Sequence, residues 1–157
     1  MKLNKYIYVV IIIFTICLLN SCTKIKEIED SNEFIDLVYG WSSGTLKDSC
    51  LIDLRELRNE ATLDDYDSGH ISGAKSYDFG NDNKEKFITW ITGLYNKKTT
   101  FLLIDSGHNE YLTIIEYLKE AGYSKIYAYK YGYANLKESS DFKNKIVEST
   151  GIEDCGC

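Results

Sequence analysis

Apolar residues recur along this chain with the spacing of helix faces. Apolar side chains at positions i, i+3, i+4 and i+7 lie on one side of an α-helix. Two stretches have this spacing: Phe87, Trp90, Ile91 and Leu94, and then Tyr111, Ile114, Ile115 and Leu118. Gly122 stands where a glycine would end the second helix. We predict an earlier helix that Asp30 and Glu33 cap, with Phe34, Leu37 and Val38 on one face, and a last helix over 142–147.

Short apolar runs between these helices predict strands. Residues 50–54, 99–104 and 125–131 form such runs, and residues 74–79 form a weaker one. Strands that alternate with helices predict an α/β fold, with a central, mostly parallel sheet covered by helices on both faces. Ligands of such sheets bind beyond the carboxyl ends of the strands. We therefore expect the functional site in the loop after Ile104.

The first 21 residues have the pattern of a targeting segment. Lys2 and Lys5 precede an apolar run over 6–19, which is too short to span a bilayer as a helix and is typical of a signal peptide. Leu19-Asn20-Ser21-Cys22 follows and resembles the lipobox of bacterial lipoproteins. That resemblance implies cleavage before Cys22 and acylation of this cysteine. We expect a protein of the cell envelope, periplasmic or surface-facing, that its lipid holds on a membrane.

The remaining chain divides into three parts. Residues 22–29 read as a charged tether, residues 30–137 as one α/β domain, and residues 138–157 as a C-terminal helix with a Cys-Gly-Cys tail. The whole chain has 18 Lys and Arg against 24 Asp and Glu, and the leader removes two lysines, so the mature protein carries a net charge of −8. Such a chain repels the phosphates of nucleic acids and anionic lipid headgroups, and no basic cluster is visible along it, so we do not expect nucleic acid as a partner.

Five cysteines shrink to three once Cys17 leaves with the leader and Cys22 carries lipid. Three thiols are too few for a disulfide framework. Cys50 enters an apolar strand and is expected to be a buried core residue. Cys155 and Cys157 form the tail, where two thiols one residue apart can form a strained disulfide or receive a persulfide.

Several motifs, in order, resemble the rhodanese family. Leu51-Ile52-Asp53-Leu54-Arg55 matches an apolar strand that ends in Asp-x-Arg, and Asp65-Tyr66 matches an acidic-aromatic pair. Gly69-His70-Ile71-Ser72-Gly73-Ala74 then matches Gly-His-Ile-Pro-Gly-Ala, with serine in place of proline. Gly122-Tyr123 and Tyr131-Gly132 match later positions. The resemblance implies a rhodanese-like fold and a site in the loop after the central strand.

That loop departs from the family. Active members begin it with a cysteine, whose thiolate carries sulfur between a donor and an acceptor. Here the loop consists of Ile104, Asp105, Ser106, Gly107, His108, Asn109 and Glu110. Two registers are open, which put Ile104 or Asp105 at the cysteine position, and neither residue can carry sulfur. The related cysteine-dependent phosphatases need an arginine six residues later, where Glu110 or Tyr111 stands.

Two functions are compatible with this sequence. The first is a rhodanese-like module without sulfurtransferase activity, which binds a protein or a small ligand at the degenerate loop. The alternative is a thiol enzyme, a sulfurtransferase or disulfide exchanger, which uses Cys155 and Cys157. We expect no cofactor. We expect no metal either, because the chain has only two histidines, although carboxylates and His108 could in principle bind zinc.

Other polar residues have structural interpretations. The resemblance implies that Asp53 and Arg55 brace the active loop. His70 is expected to fix a turn, at the sheet end opposite the site. Tyr127, Tyr129, Tyr131 and Tyr133 alternate; this could provide a stacking platform for sugars, but aromatic residues also favour strands.

Overall fold

The computed structural model describes residues 24–57, 65–77 and 84–151. The predicted signal peptide, Cys22, Cys155 and Cys157 lie outside the described residues. The described strands are β1 Lys24–Ile28, β2 Ser49–Asp53, β3 His70–Ile71, β4 Lys75–Ser76, β5 Thr100–Ile104, β6 Lys125–Tyr129 and β7 Glu148–Ser149. The described helices are α1 Ser31–Ser42, α2 Lys84–Leu94, α3 Glu110–Glu120, α4 Gly132–Lys137 and α5 Ser140–Lys145.

Five strands form a parallel sheet in the order β1-β6-β5-β2-β4. The central strand β5 is buried along its whole length, which explains its continuous apolar run. Its alternate side chains contribute to two cores: Phe101 and Leu103 pack with α2 and α3, whereas Leu102 and Ile104 pack with α1, α4 and α5. The predicted α/β fold, with helices on both faces of a mostly parallel sheet, is confirmed.

The predicted helices begin and end near their signals. Asp30 caps α1, because its carboxylate accepts hydrogen bonds from the backbone N–H groups of Asn32 and Glu33. At the end of α3, Gly122 takes a φ of +85° and its N–H donates to Lys119 O at 2.8 Å. None of the helices in the described part of the chain is long and apolar enough to cross a membrane.

The prediction that residues 22–29 are a tether is wrong for 24–28. These residues form the edge strand β1, in register with β6 from Lys24 opposite Lys125 to Ile28 opposite Tyr129. Ile28 is buried in the core, and Tyr111 donates a side-chain hydrogen bond to Glu27. The strand escaped prediction because the charged side chains of an edge strand remain in solvent, so little apolar pattern is left.

The packed unit also extends past the predicted end at residue 137. Strand β6 ends at Tyr129, and the next segment forms the unpredicted helix α4 instead of continuing the strand. Helix α5 ends at Lys145, two residues before the predicted end, and its Phe142 is buried in the same core as Leu136 of α4. The following strand β7 pairs antiparallel with β3 in a separate two-stranded sheet. The described part of the C-terminal segment thus belongs to the folded domain.

Candidate functional site

The loop between β5 and α3 begins at Asp105. Ile104 is the last residue of the strand and its side chain is fully buried in the apolar core, so it cannot face a ligand. Asp105 is the first loop residue and is also fully buried. Of the two registers that the sequence left open, the structure therefore puts Asp105 at the base of the loop.

The carboxylate of Asp105 occupies the inside of the loop. Its Oδ1 accepts the backbone N–H of Gly107 at 2.8 Å, and its Oδ2 accepts the backbone N–H of Tyr111, in the first turn of α3, at 3.4 Å. Backbone N–H groups at a helix start bind anions well. Asp105 thus occupies N–H groups that would otherwise be open to an anionic ligand.

Asp105 and Glu110 form a coupled pair of carboxyl groups. Burial, and then the hydrogen bond with Glu110, raise the pKa of Asp105 to about 7 from an ordinary value of 3.8. Burial opposes the ionisation of Glu110, but hydrogen bonds, with Asp105 foremost, lower its pKa overall. Below about pH 7 the pair therefore holds a proton on Asp105, next to an ionised Glu110.

The outer part of the loop carries exposed polar side chains. Ser106 Oγ lies 2.8 Å from His108 Nδ1 and 3.1 Å from Glu110 Oε1. The imidazole of His108 is 81% exposed and lies 3.7 Å from Glu110. No group of three or more His, Cys, Asp or Glu side chains arranged to hold a metal ion occurs within 24–57, 65–77 and 84–151.

The loop rests against the segment that follows β6. Gly107 and Gly132 take φ values of +91° and +78°, in the left-handed region that favours glycine. A Cβ atom on Gly132 would lie 2.4 Å from the nitrogen of Gly107, so no side chain fits there. The next residue, Tyr133, donates its backbone N–H to the carbonyl of Asp105 at 2.8 Å. The start of α4 thus fixes the backbone conformation of the loop by packing against its outer side.

Asp53 and Arg55 form a buried ion pair next to this contact. Arg55 donates through Nε and Nη2 to the Asp53 carboxylate, at 3.0 and 2.7 Å, and its guanidinium lies 3.7 Å from the ring centroid of Tyr133. The pair thus contacts Tyr133, the residue whose backbone N–H binds the carbonyl of Asp105. The sequence alone missed Tyr133, because alternation of tyrosines suggested a longer strand; the glycine at 132 was the available signal for a turn.

The Gly-His segment lies closer to the site than we expected from the sequence. Arg55 Nη2 donates to the carbonyl of Gly69 at 2.7 Å, so this turn is joined to the carboxyl end of β2 and is not at the opposite end of the sheet. His70 is buried, stacks on Tyr66 with ring centroids 3.7 Å apart, and makes a 2.9 Å hydrogen bond from Nδ1 to the Tyr66 carbonyl. Gly73, at φ +82°, packs next to the ring of Trp41.

The remaining candidates lie apart from the loop or in separate environments. Cys50 is buried and its thiol contacts Tyr95 Oη at 3.1 Å. Burial raises the pKa of Cys50 to about 11, so it is not a nucleophile at neutral pH. The alternating tyrosines do not form one platform: Tyr129 and Tyr133 are buried, whereas Tyr131 is 46% exposed.

The sequence pattern that defines the rhodanese-like domain matches residues 39–139. The chain belongs to the rhodanese-like domain family. The match covers the Asp53–Arg55 pair, the Gly69–Gly73 segment and the degenerate loop, so all of them are parts of one rhodanese-like domain. No sequence among the curated proteins matches this chain significantly.

Solved structures share the fold at low sequence identity. A crystal structure of the Alr3790 protein from Anabaena sp. is 17% identical with a TM-score of 0.53, and covers 75% of this chain and 82% of its own. A solution NMR structure of the rhodanese-like domain of the same protein is 18% identical with a TM-score of 0.51, and covers 76% and 78%. The BH2092 protein from Bacillus halodurans is 12% identical with a TM-score of 0.51, and covers 86% and 82%.

The raised pKa of Asp105 predicts a pH-dependent stability. The folded state keeps this proton to about pH 7 whereas the unfolded chain releases it near pH 3.8, so stability falls as the pH rises between these values. An amide at position 105 mimics the protonated acid. We expect Asp105→Asn to gain stability over the wild type, by about 1–3 kcal/mol between pH 5 and pH 8, as urea denaturation at the two pH values measures it. Equal pH dependence in both proteins would contradict the assignment.

Proposed function

We propose that this chain is a non-catalytic rhodanese-like module, held on a membrane by lipid on Cys22, that binds a partner at the loop over 105–110. The observation that carries the proposal is the buried carboxyl of Asp105 inside the loop, where it accepts the N–H groups of Gly107 and Tyr111. A sulfur carrier needs a thiolate at the base of this loop and open N–H groups around it. Here the base of the loop carries the carboxyl of Asp105 instead of a thiolate, and this carboxyl occupies the N–H groups of Gly107 and Tyr111.

Charge supports the same conclusion. The ionised Glu110 and the buried Asp105 share the start of α3, so a doubly charged anion such as thiosulfate meets repulsion there. Cys50 cannot replace the missing nucleophile, because its thiol is buried in the core and its pKa is raised to about 11. Within 24–57, 65–77 and 84–151 Cys50 is the only cysteine, so the alternative thiol chemistry depends on Cys155 and Cys157.

The surface around the loop supports a binding role. His108, Asn109 and Glu110 are exposed, and two apolar side chains beside them also reach solvent: Leu112, 51% exposed, and Tyr131, 46% exposed. Aromatic and aliphatic side chains beside a charged group are common in protein interfaces. The ionised carboxylate favours a partner that presents a basic side chain next to an apolar one.

The first prediction concerns sulfur transfer. The purified protein should transfer no sulfur from thiosulfate to cyanide above the rate without protein, because no thiolate stands at the base of the loop. Thiocyanate formation measures the reaction. Turnover that persists after Cys50, Cys155 and Cys157 are all replaced by serine would contradict the proposal, because no thiol would then remain in the domain or its tail. Turnover lost with Cys155 and Cys157 alone would favour the thiol enzyme.

The second prediction concerns the loop as a binding surface. Glu110→Lys reverses the charge at the loop, whereas Glu116→Lys makes the same change two turns along α3, where Glu116 pairs with Lys119. We expect the wild type and Glu116→Lys to form the same adducts when they are crosslinked in envelope extracts. The yield of these adducts should be at least about tenfold lower with Glu110→Lys. Thermal unfolding checks that both variants fold. Identical adducts with both variants would exclude the loop as the binding surface.

The third prediction concerns the anchor. Cys22→Ser removes the acceptor of the lipid, so we expect the protein to leave the membrane fraction, and mass spectrometry of the wild type to show an acylated Cys22 as the first residue. A short apolar segment followed by a Leu-Asn-Ser-Cys box supports this expectation. If the serine variant is cleaved at the same position and stays on the membrane, the anchor is wrong.

A further inference from the structure

The amino edge of the sheet collects lysines that are far apart in the sequence. Parallel strands begin at one common edge, and here β1 and β6 begin with Lys24 and Lys125, which lie opposite each other. Lys97 and Lys98 lie in the turn before β5, and Lys47 lies in the turn before β2. All five side chains are exposed. The expectation that the chain holds no basic cluster is correct for the sequence and wrong for the folded domain.

Few acidic groups oppose these lysines. Asp48 is the exposed acidic residue in the turns that precede β2, β5 and β6. Glu120, the last residue of α3, pairs with Lys84, and Glu116 pairs with Lys119. No ion pair with a described carboxylate holds Lys24, Lys47, Lys98 or Lys125. The amino edge therefore carries a local positive charge although the domain as a whole is acidic.

An apolar side chain lies among these lysines. Leu94, the last residue of α2, is 59% exposed. It lines one shallow pocket together with Asp48, Ser49, Asn96 and Thr99, so the turns before β2 and β5 lie side by side. Binding to an anionic membrane surface is strengthened both by basic side chains and by an apolar side chain that enters the interface.

The chain enters the sheet directly at this edge. The backbone N–H of Lys24 donates to the carbonyl of Ser124 at 2.7 Å, so the first strand is fixed from its first residue. One residue, Thr23, separates it from Cys22. Two residues of extended chain span at most about 7 Å. Since the predicted tether is a strand, a lipid on Cys22 leaves the domain no length with which to stand off from the bilayer.

We propose that the amino edge of the sheet, with Lys24, Lys47, Lys97, Lys98 and Lys125, docks on anionic lipid headgroups of the membrane that holds the anchor. This inference rests on the proposed acylation of Cys22. The degenerate loop then points away from the membrane, because it follows the opposite, carboxyl end of β5. Five residues of strand put the two edges roughly 13 Å apart. This distance exceeds one Debye length in physiological salt, so the membrane charge is largely screened at the loop.

Lysine acetylation of the acylated protein in vesicles tests this orientation. A membrane-impermeant acetylating reagent is applied to the protein in vesicles that contain phosphatidylglycerol, in vesicles of phosphatidylcholine alone, and in detergent, and mass spectrometry reads each lysine. We expect Lys47, Lys98 and Lys125 to react about fivefold or more slowly in the phosphatidylglycerol vesicles than in detergent, and molar salt to remove the difference. The exposed Lys143, on α5, should change less than twofold by the same argument.

A matched pair of variants assigns the effect to charge at this edge. Replacing Lys47, Lys98 and Lys125 by glutamine should restore the reactivity of Lys97 in phosphatidylglycerol vesicles, whereas replacing Lys130, Lys137 and Lys143, which follow the carboxyl end of β6, by glutamine should leave Lys97 protected. Equal reactivity of all lysines in an acylated protein, or equal protection in both kinds of vesicle, would overturn the docking proposal and leave the anchor intact. A protein that carries no acyl group would overturn both, and its mass identifies that case.

Discussion

The burial of the Asp105 carboxyl beneath its own loop is the interaction on which the site depends. A carboxyl group removed from water must find hydrogen-bond partners. Asp105 finds them in the N–H groups of Gly107 and Tyr111 and in Glu110. These contacts consume the groups that make such a loop attractive to an anion. A polar side chain at the base of the loop thereby keeps the shape of the loop and changes what it can bind.

The support for this loop comes from segments far away in sequence. Gly132 allows the start of α4 to approach Gly107, and Tyr133 links the loop backbone to the buried pair of Arg55 and Asp53. The helix dipole of α3 and the buried guanidinium both lie near the carboxyl edge, whereas exposed carboxylates such as Glu29 and Glu110 surround it. Glu29 pairs with Lys130 there, so the charges of the carboxyl edge are largely balanced, whereas the start of the strands is basic.

The sequence predicted the central elements well because their signals are local. The stripe from Tyr111 to Leu118 became α3, and the apolar run ending at Ile104 became β5, since each carries its period within a few residues. Strand β1 was missed because its stability comes from pairing with β6, and helix α4 because its stability comes from packing on the loop. Such contacts leave almost no periodic apolar pattern in the sequence. The basic edge was missed for the same reason: Lys24 and Lys125 are neighbours only after the strands pair.

The close contact between Gly132 and Gly107 separates the shape of the loop from its chemistry. Because the backbone at 132 admits no side chain, the path of the loop is set by its packed neighbours together with the hydrogen bonds of Asp105. Side chains at 106 and 108 can therefore change while the backbone keeps its course. For protein engineering, the domain is a rigid frame on which new groups can be grafted at the head of a helix. For evolution, such a frame allows the groups at the loop to change without a change of fold.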